Sequence, residues 1–242
     1  MTNSPIRITA KTNPRIKDLA KRKHSPSSSF FLIESKHLCD MAFEAGCLME
    51  TYALEDPHYE GVPCTLVGEE VLQKLAFSST PSGIVGVAKQ PDLPAVNFPK
   101  ILFLDRVQDP GNVGTLLRTA LAFGYHQVVF ASGTASPFSP KVIAASQGAI
   151  FKLRIEEAKD PLSYIIKKKG EGYLIYGSAL RNATPLKSLP KNDKPFVLMV
   201  GNEGQGIDAK LLDLSSTNIK IEMDDIESLN VGVAGGILMY LL

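Results

Sequence analysis

The sequence predicts an α/β protein, with a mostly parallel sheet covered on both faces in its C-terminal part and a smaller α/β domain before it. Three observations carry this reading. Short apolar runs, ILFL at 101–104 and FVLMV at 196–200, alternate with helical patterns. That alternation is what a parallel sheet buried on both faces requires. The stretch KQPDLPAVNFPK at 89–100 holds Pro91, Pro94 and Pro99, and prolines this close together break helix and ladder alike. The 242 residues are 44% hydrophobic and 21% charged, which excludes disordered, collagen-like and coiled-coil chains. The expected division is a domain at 1–90, a linker at 91–100 and a larger domain at 101–242.

In the first part, residues 13–23 place Ile16, Leu19 and Ala20 at helical spacing with cations on the other face. A strand is expected at 30–33 after the Ser-rich run SPSSS, and a helix at 35–45 ended by Gly46. Residues 52–54 and 64–67 read as strands, 69–76 as a short helix and 84–88 as a strand.

In the second part, a strand at 101–104 leads into a helix at 111–123, whose Val113, Leu116, Leu117, Ala120 and Leu121 share a face and which Gly124 ends. Strands are expected at 128–130, 173–176, 196–200 and 219–223, with extended chain at 151–155. Helices are expected at 141–145, 161–169, 208–214 and 228–242. The last of these is apolar nearly all round, so it must be buried on several faces.

Near-neutral net charge hides an asymmetry. Residues 1–30 carry Arg7, Lys11, Arg15, Lys17, Lys21, Arg22 and Lys23 against Asp18, whereas 201–242 carry seven acidic residues against two lysines. A basic end of this density suits a polyanion such as a nucleic acid, and the alternative is a solvated helix face. Cys39, Cys47 and Cys64 lack the spacing of a disulfide scaffold or a four-cysteine zinc site. The four histidines are scattered, so no metal site is expected. With no signal-like N-terminus and no apolar run of membrane-spanning length, the expected location is the cytoplasm, without membrane partners.

Three loops at strand ends carry candidate chemistry. In LDRVQDPGNVGTLLRTALAFG at 104–124, Pro110, Gly111 and Gly114 allow a sharp turn, Asn112 suits an N-cap, and Arg118 calls for an acidic or phosphate partner. In VGNEGQGI at 200–207, three glycines surround Asn202 and Glu203. Their order is neither the dinucleotide fingerprint nor a P-loop. In IEMDDIESLNVGVAGG at 221–236, Ser228 is a candidate N-cap and Asn230 lies in the first turn, where free N–H groups gather ligands. Gly232, Gly235 and Gly236 suit close packing against another helix.

Together these loops resemble the three motifs of the SpoU (TrmH) family of SPOUT RNA 2′-O-ribose methyltransferases. Motif one is matched by Asn112, Gly114, Arg118, Thr119 and Gly124, motif two by Gly201, Glu203, Gly204 and Gly206, and motif three by Ser228, Leu229, Asn230, Val231, Val233 and Ala234. Residues 12–17 and 31–34 look like the family's ribosomal-protein-L30e-like substrate-binding domain. The resemblance implies a deep C-terminal trefoil knot and a homodimer formed through the C-terminal domain. It implies S-adenosylmethionine held by Gly201, Gly206, Ile221, Ser228, Leu229 and Asn230. The implied reaction is methylation of a ribose 2′-hydroxyl in structured RNA, rRNA before tRNA, with no DNA partner.

On that resemblance Arg118 is the catalytic candidate, with Asn112 and Glu203 orienting it and Ser228 and Asn230 in the same pocket. Family proposals give the arginine a base's role. A guanidinium is essentially always protonated, so clamping a phosphate and stabilising developing alkoxide charge is an equal reading. Two departures stand out: Glu222 in Ile221-Glu222-Met223 where the family has proline, and a short 224–227 loop. They leave room for an alternative, a non-catalytic RNA-binding protein that keeps the fold. A nucleotide-dependent oxidoreductase lacks its glycine fingerprint here.

Overall fold

Capping chemistry sets most element boundaries in the computed structural model, which describes residues 6–94 and 96–242; the expected first domain's residues 1–5 and the linker's Ala95 lie outside the described residues. The chain begins with β1 (Ile6–Ile8) and α1 (Pro14–Arg22). Asn13 caps α1 by accepting from the Arg15 N–H at 2.9 Å, and Pro14 supplies a first position that needs no donor. There follow β2 (Phe31–Glu34), α2 (Lys36–Glu44), β3 (Leu48–Ala53), β4 (Cys64–Val67), α3 (Glu69–Leu75) and β5 (Ile84–Ala88). Gly46, at φ 66°, takes the left-handed position that ends α2.

Next come β6 (Lys100–Asp105), α4 (Pro110–Ala122), β7 (Gln127–Ala131), α5 (Pro140–Ser146), β8 (Arg154–Ala158) and α6 (Pro161–Gly170). The chain closes with β9 (Leu174–Ser178), β10 (Thr184–Pro185), β11 (Phe196–Gly201), α7 (Ala209–Asp213), β12 (Thr217–Lys220) and α8 (Val231–Leu241). Three sequence expectations shift. The cap of α4 is Asp109, which accepts from the Asn112 N–H at 2.8 Å, not Asn112 itself. Helix α8 starts three residues later than expected, because Asn230 and not Ser228 accepts from the Gly232 and Val233 N–H groups. The extended chain expected at 151–155 is a 3-10 turn at Ala149–Phe151 followed by β8.

The chain divides into two units. The first holds residues 6–92 and also Phe138–Phe151, which the sequence reading placed in the second domain. That segment carries Phe138 and Phe151, whose rings stack on Phe31 at 5.2 and 6.1 Å, and Gly148 lies against Met41. The sheet of this unit is mixed, in the order β1-β4-β3-β5-β2, with β5 antiparallel to β2 and β3. Its core gathers Ile16, Leu19, Tyr52, Val71, Leu72 and Leu75 beneath α1 and α3.

The second unit is a seven-stranded, wholly parallel sheet in the order β10-β12-β9-β11-β6-β7-β8. Its central strands β6 and β11 are buried throughout except at Lys100, which is why they read as apolar runs. Each such Leu, Ile or Val contributes about 1.5–3 kcal/mol on burial. Helices α4 and α8 meet at Gly235, where a Cβ would lie 2.3 Å from Leu116 Cδ2. The glycine admits the close crossing, and the crossing fixes the start of α8 beside the start of α4.

Candidate active site

The chain runs outward from β6 through β7 to β8, then returns to build β9, β11 and β12 on the other side. β6 and β11 are therefore neighbours at the reversal, with Asp105 opposite Gly201. In open parallel sheets ligands sit beyond the strand ends at such a switch point. Two of the three motif loops leave the sheet there.

The loop after β11 is knitted by Asn202. Asn202 and Gly206 exchange backbone hydrogen bonds at 3.0 and 2.9 Å, and the Asn202 Oδ1 accepts from the Gly204 and Gln205 N–H groups at 3.0 Å. Gly201 is glycine for the loop's own sake. A Cβ there would lie 2.2 Å from the Gly206 carbonyl carbon and the Ile207 nitrogen. The family resemblance gives Gly201 a part in holding the methyl donor; what a side chain there would meet first is the returning backbone.

Glu203 faces the start of α4. Its carboxylate accepts from the Gln108 and Asp109 N–H groups at 3.2 and 3.1 Å and from Asn112 Nδ2 at 3.1 Å. Burial works to raise its pKa, but these hydrogen bonds outweigh burial and hold the group below its usual value. Asn112 Oδ1 in turn accepts from Asn230 Nδ2 at 2.9 Å. Glu203, Asn112 and Asn230 thus form one chain of hydrogen bonds joining all three motifs.

Beside this chain opens a cleft of about 660 Å³, within the second unit. Gly201, Glu203, Gly206, Ile221, Ser228 and Leu229 are among its walls, with Leu212, Ala234 and Leu238 supplying apolar surface. Its size is that of a small-molecule site, and apolar side chains facing a loop of backbone polar groups suit a ligand with a flat ring and a polar tail. S-adenosylmethionine has that character, so the residues present fit it. Of the six expected cofactor residues, Asn230 alone is not a wall: it is spent on capping α8 and on Asn112.

Arg118 stands apart. It is exposed on α4, its side chain has no partner among the described residues, and Asn112 and Glu203 bond each other rather than orient it. Six residues separate Asn112 from Arg118, about 9 Å along a helix and on a different face. Glu222, which stands where the family has proline, is not a wall of the cleft and pairs with Lys187 at 3.8 Å. Asp105 and Arg106 carry no role in the sequence reading, and Asn202 appears there only beside the motif-two glycines; the polar residues that flank each strand end are the available signal.

The seven N-terminal cations divide, too. Arg15 pairs with Glu50 and lies over the Tyr52 ring, Arg22 stacks on Phe30 with its guanidinium carbon 3.4 Å from the ring centre, and Lys11 pairs with Glu70 at 3.3 Å. Lys23 Nζ donates to the Lys74 and Ala76 carbonyls at 3.1 and 2.8 Å, capping the end of α3. The side chains of Arg7, Lys17 and Lys21 are exposed and without partners among the described residues.

Residues 99–240 match the model of the SpoU rRNA Methylase family. The chain is also 35% identical, over 96% of its length and 97% of the relative's, to the 23S rRNA (guanosine(2553)-2′-O)-methyltransferase RlmP of Bacillus subtilis. The chain belongs to the SpoU rRNA methylase family. An rRNA methyltransferase from Sinorhizobium meliloti superposes with a TM-score of 0.87 at 25% identity, over 99% of this chain and 97% of its own. The structure of an AdoMet-bound rRNA methyltransferase from the same organism gives 0.84 at 25% identity, over 97% and 96%. The α/β architecture read from the sequence is thus the architecture of SpoU-family enzymes.

Proposed function

We propose that this chain methylates ribosomal RNA, with the cleft beside Gly201–Ile207 holding the methyl donor and Arg118 meeting the RNA. As a SpoU-family member it is an S-adenosylmethionine-dependent RNA ribose 2′-O-methyltransferase. The observation that carries the reading is the convergence of the motif-two loop and the 221–229 segment on one cleft at the sheet's switch point. The choice of rRNA follows the Bacillus subtilis relative, which is named for a 23S rRNA guanosine.

Bound S-adenosylmethionine supplies a methyl group on a sulfonium centre, already activated for transfer. The protein's contribution is alignment of the acceptor ribose and care of its charge. A guanidinium is a poor base, so Arg118 serves as a clamp on an RNA phosphate and a stabiliser of negative charge growing on the 2′-oxygen. The Glu203–Asn112–Asn230 chain keeps the starts of α4 and α8 together at the cleft's edge. Of the seven N-terminal cations, Arg7, Lys17 and Lys21 have no partner among the described residues and are free to meet the RNA backbone.

The same reading includes the trefoil knot implied by the family resemblance, a cytoplasmic location and a homodimer through the C-terminal part. For the dimer, α8 leaves Val233, Tyr240 and Leu241 52%, 71% and 58% exposed, an apolar face suited to a second copy. No helix among the described residues is long and apolar enough to cross a membrane.

Single-turnover methyl transfer to rRNA, read as 2′-O-methyl nucleoside by mass spectrometry, tests the reading. Arg118→Ala should slow transfer by about 100-fold or more while leaving cofactor affinity within about twofold. The Lys17→Ala/Lys21→Ala pair should weaken RNA binding and flatten its salt dependence by about one log–log unit per lost phosphate contact. Lys23→Ala should lower the melting temperature instead. Transfer at the wild-type rate in Arg118→Ala would remove Arg118 from the reaction.

A further inference from the structure

Asp105 is 2% exposed at the end of β6, where its carboxylate meets one edge of a guanidinium. Arg106 Nε and Nη2 donate to its two oxygens at 3.1 and 3.0 Å, and the Asp208 N–H, at the cap of α7, donates to it at 2.8 Å. Such a planar fork on a carboxylate fixes the arginine's orientation as no lysine could. Arg106 is also held in the left-handed region at φ 57°, a conformation costly to a residue with a Cβ and retained where the surroundings enforce it. Thr134 Oγ1 accepts from the Arg106 N–H at 3.0 Å and donates to the Leu104 carbonyl at 3.0 Å. Gly133, at φ 89°, leaves room for the arginine's stem.

What this anchoring presents is directed at the motif-two loop. The Arg106 carbonyl accepts from Asn202 Nδ2 at 2.9 Å, the bond that orients the side chain knitting the loop. From the other end Arg106 Nη1 donates to Gln205 Oε1 at 3.3 Å, and Nη2 reaches the Gly206 carbonyl at 3.5 Å. Asn202, Gln205 and Gly206 are all walls of the cleft.

We propose that Arg106 is a positioning residue for the methyl donor: anchored on Asp105, it holds the 202–206 loop in the shape that forms one wall of the cleft. The inference rests on the reading of that cleft as the S-adenosylmethionine site. Arg106 reaches the donor through Asn202 and Gln205 and takes no part in the transfer itself.

Calorimetric titration of S-adenosylmethionine into the full chain, alongside thermal melting, tests it. Arg106→Lys keeps a cation beside Asp105 but loses the fork, and Arg106→Gly relieves the backbone and removes the side chain. Both should raise the dissociation constant about tenfold or more, and Gln205→Ala, which loses one long hydrogen bond, about two- to threefold. Asp105→Asn/Arg106→Gly removes both charges, so it should recover the melting temperature lost in Arg106→Gly without recovering affinity. A merely structural arginine would regain both together, and that result overturns the proposal. So does affinity within about twofold of wild type in both single Arg106 variants. A wild-type chain with no saturable heat overturns the reading of the cleft, and this inference with it.

Discussion

The two loops that wall the cleft are built in opposite ways. The motif-two loop is bonded at nearly every residue: Asn202 ties four backbone positions, Glu203 reaches α4, and Arg106 braces the outside. Residues 223–229, across the cleft, make no hydrogen bond with the described residues and leave Ile226 54% exposed. One wall is cross-linked by its own hydrogen bonds; the other lacks such bonds among the described residues, which lowers the cost of opening it locally. A site of this kind spends its preorganisation on one side and keeps compliance, the means of entry and exit, on the other.

The largest effect should come from the rigid wall. Gly201→Val drives side-chain atoms into the Gly206–Ile207 backbone, which cannot move without opening the loop. It should cost about 3 kcal/mol, some 6–12 °C in melting temperature for a chain of this size, and abolish measurable cofactor binding. Gly206→Ala, five residues on, meets open space and carries only the cost of its φ of 70°, about 1 kcal/mol. Equal losses in the two variants would break the contrast drawn within this loop.

Asn230→Ala sits where the two walls join. Losing the α8 cap and the bond to Asn112 should cost about 1 kcal/mol and lower the melting temperature by about 2–4 °C. Cofactor affinity should fall further than that stability loss alone explains.

Glu203 supplies a pH test of the rigid wall. Its folded pKa lies below the unfolded one, so its stabilisation is present above the unfolded value and fades as pH falls through the folded value. Cofactor affinity should therefore be flat from pH 8 to about pH 5 and decline below that. Glu203→Gln should show the loss already at neutral pH and a shallower acid decline. The smallest effect belongs to the compliant wall, where Ile226→Ser should change stability by less than about 0.5 kcal/mol. A large loss there would show that this segment is as fixed as its opposite.

The same contrast governs what could be read in advance. Buried central strands such as β6 and β11 are legible because both faces demand apolar residues. β1 and β10 are not, since three and two residues are too few for any period to register. At the helix starts, two cap-type residues compete each time. Pro110 after Asp109 is the cue that decides α4, whereas Ser228 and Asn230 carry no such cue and only the observed acceptor separates them. The motif residues Gly201, Glu203, Gly206, Ser228 and Leu229 line the cleft, yet the roles of Asp105 and Arg106 are hard to read in sequence because, beyond each other, the loop groups they meet lie about a hundred positions away. The N-terminal cations showed their number in sequence but not their engagement, because Glu50, Phe30 and the end of α3 meet them only in the fold.

The return of Phe138–Phe151 to the first unit bears on how such a chain can be inherited. A gene exchange with one crossover at the proline-rich segment would deliver an N-terminal piece lacking the two aromatic rings that stack on Phe31. The recipient would gain an incomplete unit, and the donor's remainder would carry an orphaned helix. The two units are therefore expected to travel between genomes together, and swaps of the first unit among relatives to need two matched junctions, one on each side of that helix.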